Sequence, residues 1–125
     1  MQTTKAKIGD KEYLMCFSTR VTIECYKRYG GIEKALQRAF PAKGKEADME
    51  TVFWLMHEML KAGEAYAKLN GIDNPTVMPY DDFIDSIGID DYPSLLISAS
   101  TAAAAGTKRN VQTEPAKNLK TTQRK

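Results

Sequence analysis

The chain reads as a mainly α protein: a small helical domain with a short N-terminal β-hairpin and a disordered C-terminal tail. Three observations lead there. Residues 48–70 carry apolar side chains at the i, i+3, i+4, i+7 spacing of one long helix. Residues 5–17 alternate about a Gly9-Asp10 pair, as the arms of a hairpin do. After Gly106 the large apolar residues nearly cease. At 125 residues this is one domain, assigned to 1–106, with a basic tail over 107–125.

Each element follows from local chemistry. In the second hairpin arm Tyr13, Met15 and Phe17 alternate with Leu14 and Cys16. Both faces therefore call for cover, which helices are expected to supply because a lone hairpin is marginal in water. Ser18 or Thr19 can cap a helix carrying Val21, Cys25 and Tyr29 on one face, with Ile23 and Tyr26 beside it. Gly30-Gly31 supplies its left-handed stop. "IEKALQRAF" places Ile32, Ala35, Leu36, Ala39 and Phe40 at helical spacing and ends at Pro41.

The long helix starts near Asp48, with Glu50 well placed in its first turn, and runs to Asn70-Gly71. Val52, Leu55, Met56, Met59, Gly63, Tyr66 and Ala67 form its stripe, flanked by Phe53, Trp54 and Leu60. "YDDFIDSIG" predicts a short helix with Pro79 at its first position, Tyr80, Phe83, Ile84 and Ile87 inward, and Gly88 as its stop. A last helix has Pro93 early and Leu95, Leu96 and Ala99 on one side. The tail, "TKRNVQTEPAKNLKTTQRK", is too polar to offset its ordering entropy.

The formal charge of +2 is unevenly placed. Residues 107–125 hold six basic residues against Glu114, a net +5, and residues 1–106 carry a net −3. Cys16 and Cys25 make neither a disulfide framework nor a zinc spacing, and free buried thiols fit a reducing compartment. The N-terminus has no apolar signal-peptide core, and no stretch approaches the ~20 apolar residues of a membrane span. A cytoplasmic protein is expected.

Catalytic patterns are missing. His57-Glu58 would need a second His where Lys61 stands to make a zinc-protease helix. One His and two Cys are too few soft ligands for a transition-metal site within one subunit, so neither a metal nor a cofactor is expected. His57 is assigned to the rim of the stripe. Asp81/Asp82 and Asp90/Asp91 lack the alternating ligands of a calcium loop and read as helix-start chemistry. There is no nucleophile elbow and no phosphate-binding glycine loop. The chain is not expected to be an enzyme.

The order of "IGDKEYLMCF", "TRVTIECYKRYGGIEKAL" and "DMETVFWLMHEMLKAG", followed by a helix running into an Ala- and Lys-containing tail, resembles another group of proteins. They are the small tail assembly chaperones of long-tailed bacteriophages and of prophages of Gram-positive bacteria. The resemblance spans about residues 7–105 and has no catalytic signature. It implies a mostly helical, self-associating protein of the bacterial host cytoplasm, absent from the finished virion. Such a protein binds the tape measure protein, keeps it soluble and helps tail tube subunits assemble around it.

"VFWLMHEML" then takes on a physical meaning. A helix apolar on more than one face leaves a surplus once its own domain has covered one. Phe53, Trp54, Met59 and Leu60 are the candidate partner-binding residues, with complete burial in the monomer as the alternative. The competing reading is a small regulatory or nucleic-acid-binding protein of phage or bacterial origin that presents Arg20, Lys27, Arg28, Lys34 and Arg38. Glu24 and Glu33 interrupt that patch, and the tail lacks aromatic residues for stacking bases, so nucleic acid is the weaker expectation.

Overall fold

The computed structural model describes residues 2–107. Two strands, β1 (Thr4–Ile8) and β2 (Lys11–Met15), precede five helices. These are α1 (Thr19–Tyr29), α2 (Ile32–Ala39), α3 (Met49–Asn70), α4 (Tyr80–Ser86) and α5 (Tyr92–Thr107). The fold class is the one the sequence predicts. The expected tail lies, apart from Thr107, outside the described residues.

The strands pair antiparallel, from Thr4 opposite Met15 to Ile8 opposite Lys11, and Gly9 turns the chain at a φ of 63°. Ala6, Ile8, Tyr13 and Met15 face inward and are buried. α3 covers β2 and α5 covers β1, which supplies the packing a lone hairpin needs. Two features bring these surfaces close. The Cys16 amide donates to the Met59 carbonyl at 3.2 Å. Gly63 and Gly106 lie where a Cβ would strike the Leu14 carbonyl and Phe17 respectively. The outer side of β2 is closed by the Asn74 side chain, whose Oδ1 accepts from the Leu14 amide at 2.8 Å.

Helix boundaries follow the expected chemistry in most places. Ser18 accepts from the Val21 amide and caps α1, and Gly30 ends it in the left-handed region. Gly71 (φ 67°) ends α3, while the Ile72 amide reaches back to the Ala67 carbonyl at 2.9 Å in a Schellman closure. At α3's start the Asp48 carboxylate takes the Thr51 hydroxyl (3.0 Å) rather than a backbone amide. That bond first, then the nearby Thr51 and Glu50 amides and lastly Arg38 3.6 Å away, hold the Asp48 carboxyl below the usual carboxylate range.

Three sequence-based expectations, all at α4, need correcting. Gly88 does not stop α4; the helix ends at Ser86, Ile87 is extended and Gly88 has no positive φ. Pro79 precedes α4 instead of opening it. On that seven-residue helix only Phe83 is fully buried, and Ile84 is 39% exposed. On α1, Ile23 and Tyr26 point to solvent, because α2 and α3 cover only the Val21–Cys25 side.

Both cysteines are free and buried. Burial pushes the Cys25 thiol up to about 11, with the charges of Glu58 and Glu24 adding to the effect. An unfolded thiol ionises near 8.5. Its contribution to stability is therefore complete below that pH and is lost as pH rises through the folded value. Between pH 7 and 10.5 the loss should be about 2–3 kcal/mol, read by urea unfolding at each pH. Cys25→Ala should flatten this part of the profile, and an unchanged alkaline slope would show that the thiol does not carry it.

Candidate functional site

α3 is the central element, with β2, α1, α2, α4 and α5 all packed on it. A helix apolar around its circumference is what such a position requires. Leu55, Met56, Met59 and Leu60 are all 0% exposed. Met59 and Leu60, two of the four expected partner-binding residues, thus lie inside the monomer under β2 and its neighbours. The surplus apolar surface inferred for that end of α3 is used internally.

Phe53 and Trp54, on the N-terminal half of α3, are half-buried and face different neighbours. Trp54 meets Tyr29 edge-on at 5.5 Å, and the Arg28 guanidinium lies 5.1 Å from its ring centroid. Beside it a hydroxyl chain runs from Tyr29, which donates to buried Thr51 (2.8 Å), to the exposed Asp48 carboxylate, which accepts from Thr51. Trp54 is therefore capped by cationic and polar groups. Of the basic residues named in the competing reading, Arg28 lies over Trp54 and Lys27 pairs with Glu24 at 3.7 Å.

Phe53 faces the other way, into an open apolar groove of about 270 Å³ lined by Met49, Phe53, Ile87, Gly88, Ile89 and Tyr92. Its ring contacts Phe83 (6.1 Å between centroids) and Tyr92 (5.7 Å). The Tyr92 hydroxyl points at the Met49 sulfur, 3.8 Å away, and burial raises the phenol's pKa. Ile89 stands at the groove's edge with 91% of its surface exposed, and Met49 is 47% exposed. Ile89 is the most exposed large apolar side chain among the described residues.

The groove's far wall is held by side chains reaching from α3. His57 Nε2–H donates to the Met78 carbonyl at 2.7 Å, and its ring sits 5.6 Å from Tyr80 and 5.5 Å from Phe83. The Glu64 carboxylate accepts from the Val77 amide at 3.0 Å. These bonds fix the 72–79 connection and hence the position of α4. His57, assigned to the rim of the stripe from sequence, is buried, and donating to a carbonyl fixes its tautomer. Among the described residues no group of three His, Cys, Asp or Glu could hold a metal ion. Burial raises both thiols, which leaves little thiolate at neutral pH.

No protein-family model, curated protein or solved structure matches this chain. Its function must be argued from the groove itself. Of the four candidate partner-binding residues, only Phe53 belongs to it. Met49, Ile87, Ile89 and Tyr92 went unremarked as binding residues. One signal for them exists: Ile89, between Gly88 and Asp90-Asp91, belongs to no helical stripe. No helix among the described residues is long and apolar enough to cross a membrane.

Proposed function

We propose that this protein is a non-catalytic assembly chaperone of the phage-tail kind. In that role it binds the tape measure protein in the bacterial cytoplasm, keeps it soluble, and gives way as tail tube subunits assemble. The observation that carries the reading is the open groove floored by Phe53, with Ile89 almost wholly exposed at its edge. Exposed apolar surface with a built floor marks a protein-binding site. The side chains that line it are apolar apart from the Tyr92 hydroxyl. The order of hairpin, paired helices, long helix and terminal helix supports the same reading through the resemblance already described. Self-association belongs to the proposal, and the purified chain should sediment above its 14.0 kDa monomer mass.

Co-expression tests this directly. Tape measure protein that is insoluble alone should remain in the supernatant with the wild-type chain and return to the pellet with Ile89→Ser. Because Ile89 is exposed, that variant should keep the wild-type urea midpoint. A wild-type chain that leaves the tape measure protein insoluble would sink the proposal.

A further inference from the structure

Charge is sorted along this chain more sharply than its net value suggests. Residues 69–107 contain six Asp and neither Lys nor Arg, a net −6, whereas residues 1–68 carry +3 and residues 108–125 carry +5. The groove is built largely from the acidic stretch. The Asp90 and Asp91 carboxylates lie 3.6 and 3.8 Å from the Cβ position of Gly88, in the groove wall, and Asp91 accepts from the Gly88 amide at 3.3 Å. Asp81, Asp82 and Asp85 are exposed on α4, and Glu50 is exposed next to Met49 at the start of α3. The ion pairs among the described residues use Glu12, Glu24, Asp48, Glu58 and Glu64. None of these six carboxylates, of which Asp90 and Asp91 lie beside Gly88 of the groove, is in one.

We infer that the groove takes an apolar anchor side chain from a partner segment whose flanking residues are lysines or arginines. This rests on reading the groove as the client-binding face. At about 270 Å³ and open to solvent, it falls below the ~300 Å³ at which small-molecule pockets begin, a size suited to a side-chain anchor. Apolar walls hold such an anchor, while rim charge selects among segments and speeds encounter. Carboxylates without a cation repel an acidic segment and complete their pairing on a basic one. The same apolar anchor with acidic flanks is thereby excluded.

The test uses the full chain and two labelled peptides of about fifteen residues, each with one central Phe, flanked by Lys in one and by Glu in the other. Fluorescence anisotropy at low salt should show the Lys peptide binding at least ~10-fold more tightly. The gap should shrink in 0.5 M salt, where the screening length falls to a few ångströms. Ile89→Ser should abolish the tight binding, and Asp90→Asn/Asp91→Asn should narrow the gap while leaving weak apolar binding. Equal affinity for both peptides, binding of neither, or tight binding that survives Ile89→Ser would each overturn the inference. So would two other occupants. If Lys117→Glu/Lys120→Glu tightens peptide binding ~10-fold, the groove holds the chain's own C-terminal segment. If Ile89→Ser lowers the sedimenting mass, it holds a second copy. Equal peptide binding with a soluble tape measure protein would leave the chaperone reading intact. Selective peptide binding with an insoluble tape measure protein would do the reverse.

Discussion

Gly63→Ala should destabilise the domain by about 3 kcal/mol, although alanine is the better helix former by ~1 kcal/mol. Gly63 lies in the interior of α3, where the strand β2 crosses it. A Cβ there would meet the Leu14 carbonyl carbon and oxygen, and the Met15 amide nitrogen at 3.0 Å. These are backbone atoms, so no rotamer change relieves the contact. Nor can the strand simply slide, because the Cys16 amide is fastened to the Met59 carbonyl one turn earlier on α3. The hairpin must lift, exposing Tyr13 and Met15, which are now buried. Urea unfolding measures the cost, and Gly71→Ala serves as the comparison. There the obstacle is a left-handed φ of 67° with open space around it, and about 1 kcal/mol is expected. A neutral or stabilising Gly63→Ala would mean that β2 does not rest on α3.

That position shows how far the sequence could be read. Gly63 falls on the apolar stripe of α3, and its membership is visible in the spacing alone. The hairpin turn, the Ser18 cap and the glycine stops at 30 and 71 are equally local, so they too were legible. What the pattern does not encode is how many neighbours a helix has. The apolar excess on α3 reads equally as a free surface or as a helix surrounded by others, and the structure places Met59 and Leu60 in the second situation. The groove was illegible for a related reason. Phe53 and Met49 come from α3, whereas Ile87 and Ile89 come from the connection after α4 and Tyr92 from the start of α5. The hydrogen bonds of His57 and Glu64 to the 77–78 backbone bring the two together. Those are tertiary contacts, and no local periodicity announces them.

Phe83→Ala should cost about 3–5 kcal/mol and remove the binding site with it. Phe83 is 0% exposed and is among the largest fully buried side chains of the domain. It packs on Phe53 at 6.1 Å and on His57 at 5.5 Å, joining α4 to the middle of α3. At seven residues α4 is well short of the ~12–15 at which an isolated helix becomes even marginal in water. It has no second fully buried residue to hold it once Phe83 is gone. The helix should therefore fray, and Ile87 and Ile89 follow it directly in the chain. Native-state hydrogen exchange should show the amides of residues 80–89 opening at far lower free energy than those of α3. Loss of the lysine-flanked peptide's affinity should accompany that opening. Phe83→Leu, which keeps most of the volume, should lose under ~1.5 kcal/mol and retain binding. A Phe83→Ala variant that is globally weakened yet binds the peptide as before would show that the groove does not depend on α4. The client site would then have to be sought on another face.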